Sequence, residues 1–146
     1  MKLRNCYLIQ LPVITDGIDG RLSVAESHRD IPFDIKRVYY IYDLENLDAI
    51  RGKHAHRKLE QVIFCINGSF VLTLDDGKNR EEILISQRNT GVYLGTGLWH
   101  TMSRFSKDCV LLVMASDHYL EADYIRDYDE FIKFVQQQQY DPAQRL

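Results

Sequence analysis

The sequence predicts one small all-β domain, a barrel or sandwich of short strands, with a single helix near its C-terminal end. The chain has 146 residues, of which 45% are hydrophobic and 27% charged, a balance typical of a soluble globular domain with one core. Short runs rich in β-branched and aromatic residues recur at turn-sized intervals, whereas helical periodicity is confined to one late segment. We therefore place the domain at residues 1–135 and a polar C-terminal tail at 136–146.

Seven segments are predicted to be strands because they combine β-branched and aromatic residues between turn-forming ones. They are residues 6–11, 37–42, 61–66, 69–74, 82–85, 91–94 and 110–115. Asn67-Gly68 is typical of a two-residue hairpin turn, and the run DDGK at 75–78 predicts a second reversal one strand later. These turns indicate antiparallel pairing.

The last predicted element is a helix, since apolar residues recur at helical spacing at positions 128, 131, 132 and 135. Asp127 and Glu130 have the spacing of a capping box at its start. We expect the helix to pack on the sheet. The glutamine-rich tail that follows has little to bury, so we expect it to be frayed or disordered.

Composition excludes several classes of protein. A net charge of −3 argues against nucleic-acid binding, which needs a basic stripe, although a few arginines suffice for one diphosphate. The longest apolar run, 109–115, is too short to cross a membrane, and the start of the chain has no signal-peptide pattern. Cys6, Cys65 and Cys109 are odd in number and far apart, as expected of reduced thiols in a cytoplasmic protein.

Two histidine-containing runs are the strongest chemical signals. In RGKHAH at 51–56, an extended backbone would point His54 and His56 to one face while Ala55 turns away. A neutral imidazole is well suited to accept and release protons near pH 7. A second run, GTGLWH at 95–100, carries His100 on what we expect to be a glycine-shaped turn.

Together these runs resemble the paired motifs of the cupin superfamily, GxHxH followed by Glu60 and GxxH ending at His100, with Gly95 where proline is usual. The resemblance implies a small double-stranded β-helix, that is, a jelly-roll barrel. It also implies a rival function, because His54, His56, Glu60 and His100 are the positions that hold a divalent metal in metal-dependent cupins. Three imidazoles and a carboxylate suit iron, manganese or zinc, and spacing alone leaves this open.

A longer resemblance joins IPFDIKRVYY at 31–40, RGKHAHRKLEQV at 51–62, Asp117 and DYIRDY at 123–128. Over nearly its whole length the chain resembles the sugar-nucleotide 3,4-ketoisomerases. The resemblance implies a cupin enzyme without metal or cofactor, a homodimer that acts on dTDP-4-keto-6-deoxyglucose. It also implies a place in deoxy-amino-sugar biosynthesis for lipopolysaccharide, other surface polysaccharides or antibiotics.

The implied reaction assigns roles to three side chains. Moving a ketone from C4 to C3 requires removing the hydrogen at C3, holding an enediol and delivering a hydrogen to C4, so one base can serve both steps. We expect His54 to be this base and Tyr39 to polarise a sugar oxygen or exchange a proton with it. His56 is expected to orient the substrate or share the proton.

Three further residues are expected to bind substrate. Arg37 and Arg51 would neutralise the diphosphate or steady the enediolate. Alternation places Tyr39 rather than Tyr40 on the face of Arg37. His100 should lie near the sugar, where family members carry histidine or arginine, and the histidine favours the galacto-configured product. The acidic, glycine-rich run at 16–21 departs from the family pattern and bears on the same stereochemistry.

Other functions stay open at this point. A metal-dependent cupin enzyme would carry stoichiometric metal and lose activity with chelator, and a non-catalytic sugar-nucleotide-binding cupin would bind without turnover. A 3,5-epimerase uses similar proton abstraction, but its usual sequence blocks are not found here. The apolar run 6–11 is a candidate to pair across the two-fold axis of a dimer.

Overall fold

Two five-stranded antiparallel sheets dominate residues 1–139, the part of the chain that the computed structural model describes. The first sheet has the order β1 (Cys6–Gln10), β9 (Thr90–Leu94), β6 (Gln61–Asn67), β11 (Val110–Ala115) and β4 (Arg37–Ile41). The second has the order β12 (Tyr124–Ile125), β5 (Arg51–His56), β10 (Trp99–Ser103), β7 (Phe70–Asp75) and β8 (Arg80–Ile85). A separate hairpin joins β2 (Val13–Thr15) to β3 (Arg21–Ser23), and helix α1 spans Tyr128–Gln139. The predicted all-β class with a C-terminal helix is confirmed, and the sheet arrangement is consistent with a jelly roll.

The main core lies between the two sheets. Ile63 and Leu111 project from the first sheet and meet Phe70, Leu72 and Met102 from the second, all of them buried. Removing such a side chain from water contributes about 1.5–3 kcal/mol, so this interface is the main source of stability.

Helix α1 covers the outer face of the second sheet. Phe131 and Val135 of the helix pack on Ala55 of β5 and Ile125 of β12. Because neighbouring strand residues point to opposite faces, burying Ala55 beneath the helix directs His54 and His56 toward the space between the sheets. At the helix start, the Asp127 carboxylate accepts a hydrogen bond from the Glu130 backbone N–H, which is half of the predicted capping box.

The predicted hairpin at Asn67-Gly68 is wrong. The strands on either side of this turn belong to different sheets, since β6 pairs with β9 and β11 whereas β7 pairs with β8 and β10. The turn carries the chain from one sheet to the other. Gly68 has a φ of 74° and lies so close to Ser106 and Cys109 that a Cβ there would not fit. The left-handed conformation that Asn-Gly favours is used for a crossover. The reversal at 75–78 does join a hairpin, β7 to β8.

Two other segments differ from expectation. Trp99–Ser103 is a strand, so His100 lies within β10 and not on a turn. Helix α1 continues to Gln139, so residues 136–139 are helical, and the rest of the predicted tail, 140–146, lies outside the described residues. β1 pairs with β9 of its own chain and lies at the edge of its sheet, so the run 6–11 stays a candidate to pair across a dimer axis.

Candidate active site

Three histidines converge between the sheets on adjacent strands β5 and β10. His54 lies directly opposite His100 in the strand register. The ring centroids are 4.5 Å apart for His54 and His100, 5.0 Å for His54 and His56, and 5.9 Å for His56 and His100. His56 and His100 are each only 3% exposed, while His54 is half-buried. The structure therefore brings together the histidines of the two sequence runs.

A bulge in β5 sets this register. His100 pairs with His54 but Thr101 pairs with Gly52, so Lys53 is an extra residue on its strand. Gly52 has a φ of 85°, and a Cβ there would lie 2.8 Å from the backbone oxygen of His100. Glycine is required at this position because the two strands approach so closely.

The hydrogen bonds of two histidines fix which nitrogen is free. The Nδ1 of His54 lies 3.0 Å from the Gly52 carbonyl oxygen, and the Nδ1 of His100 lies 3.3 Å from that of Leu98. A carbonyl oxygen only accepts, so each Nδ1 carries a hydrogen and donates it. In the neutral rings Nε2 is then an unprotonated acceptor, the form that a general base needs.

His56 is held by a carboxylate that follows it by 67 residues. Its Nδ1 donates to Asp123 Oδ2 at 3.0 Å, and the Nε2 is buried without a hydrogen-bond partner among the described residues. The two carboxylate oxygens of Asp123 also accept from the backbone N–H groups of Lys58 and Leu59, at 2.7 and 3.2 Å. Asp123 therefore anchors both His56 and the turn that follows β5.

Burial lowers the pKa of all three histidines, because a charged imidazole is poorly solvated between the sheets. The pKa of His56 falls to about 3, with the positive charges of neighbouring groups adding to the effect of burial. Burial likewise holds the pKa of His100 well below its ordinary value. The three rings are consequently neutral at pH 7, so each keeps one unprotonated nitrogen.

Tyr39 and Arg37 lie side by side on β4, as alternation predicted. The Arg37 guanidinium carbon is 5.5 Å from the centroid of the Tyr39 ring, and its Nε and Nη2 are buried without a hydrogen-bond partner in the described chain. The Tyr39 hydroxyl accepts a hydrogen bond from Gln61 Nε2 at 3.2 Å. Burial raises the pKa of Tyr39, and the charges of Arg37 and Arg51 oppose that rise. Tyr40, in contrast, is 59% exposed.

An aromatic and charged segment forms one wall of the histidine cluster. The Tyr124 ring lies 4.9 Å from that of His54 and 4.5 Å from that of His56. Arg126 lies over the Tyr124 ring at 4.4 Å and donates two hydrogen bonds to Glu121, at 2.8 and 3.0 Å. Beside this wall a pocket of about 120 Å³ opens, lined in part by Arg37, Asp123 and Tyr124.

The sequence assigns no role to Asp123, Tyr124 or Gln61, although the structure places all three at the site. All three lie within the runs that carry the family resemblance, which was the one signal available. Arg51 lies at the start of β5 and is exposed, so of the six predicted site residues it is the one at the solvent edge.

The four-ligand metal set is not assembled. His54, His56 and His100 each offer a ring nitrogen within 4.8 Å of the others, and an imidazole held through its other nitrogen is a common metal ligand. The Glu60 carboxylate instead accepts a hydrogen bond from the Tyr93 hydroxyl at 2.5 Å. The three histidines fit a transition metal, but Glu60 does not join them.

Comparison with known proteins bears on what this cluster does. The family model FdtA, described as WxcM-like, C-terminal, matches residues 4–136. The chain belongs to the FdtA family. A TDP-4-oxo-6-deoxy-α-D-glucose-3,4-oxoisomerase from Aneurinibacillus thermoaerophilus is 51% identical to the chain over 116 residues, which covers 80% of this chain and 83% of that protein. The predicted resemblance to sugar-nucleotide 3,4-ketoisomerases is thereby confirmed.

Solved structures of sugar 3,4-ketoisomerases share this fold closely. A histidine-to-asparagine mutant of the 3,4-ketoisomerase QdtA from Thermoanaerobacterium thermosaccharolyticum, in complex with TDP-4-keto-6-deoxyglucose, is 41% identical with a TM-score of 0.90, covering 95% of this chain and 99% of that one. The TDP-quinovose 3,4-ketoisomerase WlaRB from Campylobacter jejuni is 44% identical with a TM-score of 0.85, covering 90% and 99%. No helix in residues 1–139 has the length and apolar character needed to span a membrane.

Proposed function

We propose that the protein is a sugar-nucleotide isomerase that moves the ketone of dTDP-4-keto-6-deoxy-D-glucose from C4 to C3. The observation that carries this proposal is the cluster of neutral histidines beside Tyr39 and Arg37, in a chain 51% identical to an oxoisomerase for this class of substrate. A site of buried proton acceptors next to a cation suits chemistry that passes through an enediolate.

His54 is the proposed carbon base. Its Nδ1–H is fixed by the Gly52 carbonyl, so its Nε2 lone pair can take the proton from C3. The electron pair of the broken C3–H bond then forms the C3–C4 double bond, and negative charge develops on the oxygen at C4. Return of the proton from Nε2 to C4 completes the carbon part of the reaction. His54 is less buried than His56 and His100, which makes it the histidine that a substrate can reach.

Tyr39 and Arg37 are proposed to manage the oxygens. The oxygen at C3 must lose its hydrogen while the oxygen at C4 gains one, and the Tyr39 hydroxyl can exchange both. Two buried nitrogens of Arg37 have no acceptor among the described residues, and an enediolate or a diphosphate would satisfy them. Arg51, at the exposed edge of β5, is proposed to bind the diphosphate.

The remaining assignments are proposals of the same kind. His100 lies 4.5 Å from His54, ring to ring, and we assign it to the side of the sugar where the C4 configuration is decided, with a galacto product. We also propose a cytoplasmic homodimer that takes part in deoxy-amino-sugar biosynthesis and works without a cofactor.

A metal-dependent enzyme is the second candidate, because the three histidines can offer nitrogens within 4.8 Å of one another. A metal there would act as a Lewis acid on the ketone. This candidate predicts that chelation abolishes turnover and that added metal restores it.

Proton and carbon NMR of the sugar product tests the proposal. Chelator-treated wild type should convert dTDP-4-keto-6-deoxyglucose to a 3-keto sugar whose coupling constants report the C4 configuration. His54→Asn should give no product above background, while His28→Asn, at an exposed position that does not line the pocket beside the histidines, should match wild type. Full activity of His54→Asn would overturn the assignment of the base, and binding without turnover by wild type would overturn the reaction.

A further inference from the structure

The Asp123 carboxylate behind the histidine cluster is not used by the proposed chemistry. It is 12% exposed and accepts three hydrogen bonds, one from His56 Nδ1 and two from backbone N–H groups of the turn after β5. The backbone oxygen of Asp123 also accepts from the Arg57 N–H at 3.0 Å. The carboxylate is therefore fixed in place by His56 at the end of β5 and by the turn that follows it.

We propose that Asp123 is a positioning residue that holds His56 in the Nδ1–H tautomer, so that His56 presents a bare Nε2 to the histidine cluster. A carboxylate only accepts hydrogen bonds, so the nitrogen that faces it must carry the hydrogen. An amide in its place can donate through its NH₂ group, which would favour the opposite tautomer. The inference rests on the proposed function for its catalytic part, but the tautomer itself does not depend on that function.

The bare Nε2 of His56 has a consequence for His54. After taking the C3 proton, His54 is an imidazolium whose ring centroid lies 5.0 Å from that of His56, in an edge-to-face arrangement. A neighbouring lone pair stabilises that positive charge, whereas a neighbouring N–H dipole would oppose it. In this way Asp123 acts on the reaction through His56, without touching the substrate.

His56 must stay neutral for this role. The titratable or charged groups around it are His54 on β5, His100 on β10, Asp123 and Tyr124 at β12, Arg37 on β4 and Arg126. Asp123 is the carboxylate among these groups, whereas burial between the sheets and the positive charges of Arg37 and Arg126 disfavour a positive charge on His56.

Imidazole nitrogen-15 NMR at pH 7.5 tests the tautomer directly, using His56→Gln to assign the signals. In wild type, the His56 signals should show a protonated Nδ1 and an unprotonated Nε2. Asp123→Asn should convert His56 wholly or partly to the Nε2–H form, while Asp129→Asn, an exposed aspartate in the first turn of α1, should leave it unchanged. An Nε2–H tautomer in wild type would overturn the proposal, whatever the Asp123 variants show.

Kinetics separate positioning from a structural role. Asp123→Asn should lower kcat by at least about tenfold, and Asp123→Glu should recover part of the loss, with KM changed by less than about threefold in both. A change in KM alone, or an unchanged kcat in a protein whose tautomer has flipped, would contradict the proposal. If wild type shows no turnover, the proposed function fails, but the tautomer measurement still decides the role of Asp123.

Discussion

Lowering the pH from 7 to 5 is expected to destabilise the protein because His56 is held neutral in the folded state. His56 is 3% exposed, and burial lowers its pKa from the ordinary value of 6.5 to about 3. The unfolded chain takes up a proton at this position below pH 6.5, whereas the folded chain does not until the pH approaches 3. The stabilisation is therefore fully present above pH 6.5 and is lost as the pH falls from 6.5 toward 3.

The size of the effect follows from the difference between the pH and the pKa of this histidine in the unfolded chain. At pH 5 the unfolded histidine is about 1.5 pH units below its pKa, and each unit corresponds to about 1.4 kcal/mol. His56 should thus account for about 2 kcal/mol of lost stability between pH 7 and pH 5. That is a substantial part of the 5–15 kcal/mol typical of a domain, roughly a seventh to two fifths of it.

Urea denaturation of wild type and His56→Gln at both pH values measures this contribution. The free energy of unfolding of wild type should fall by about 2 kcal/mol more than that of the variant between pH 7 and pH 5. His118→Asn, at an exposed position, should behave as wild type. If the free energy of unfolding falls equally in wild type and His56→Gln, burial does not keep His56 neutral.

Three further substitutions test the site residues and the backbone that positions them. Gly52→Ala should cost about 1–3 kcal/mol of stability in urea denaturation and lower kcat, because its φ of 85° and the His100 oxygen at 2.8 Å both oppose a Cβ. Gly17→Ala is the control for backbone strain alone, because Gly17 also has a positive φ, 54°, but a Cβ there would contact no other atom. Tyr39→Phe should lower kcat at least about tenfold in the NMR assay with little change in KM, whereas Phe at the exposed Tyr40 should have no effect. Arg37→Ala should raise the Kd for dTDP-sugar in calorimetry by about tenfold or more, and unchanged binding and turnover would exclude it from the site.

Local rules predicted much of the fold and part of the site. Strand alternation correctly placed His54 and His56 on one face, because that geometry depends only on neighbouring residues. The same rule paired Tyr39 with Arg37. Both predictions needed no knowledge of which strands are neighbours.

Long-range partners could not be predicted in this way. Asn67-Gly68 has the residues of a hairpin turn, but whether the next strand pairs or crosses to the other sheet is decided by packing against Ser106 and Cys109. Asp123 bonds to His56 across 67 residues because β12 pairs with β5 over only two residues. The neighbouring sequence does not predict so short a pairing. The bulge at Lys53 depends equally on how close β10 approaches.

In the proposed reaction the proton moves between C3 and C4 on neutral histidine, with no metal. Turnover of dTDP-4-keto-6-deoxyglucose should be measured together with metal content on one chelator-treated sample. We expect full activity at a metal content far below one ion per chain, unchanged by added zinc, iron or manganese. Activity that falls in proportion to metal content and returns with added metal would contradict it.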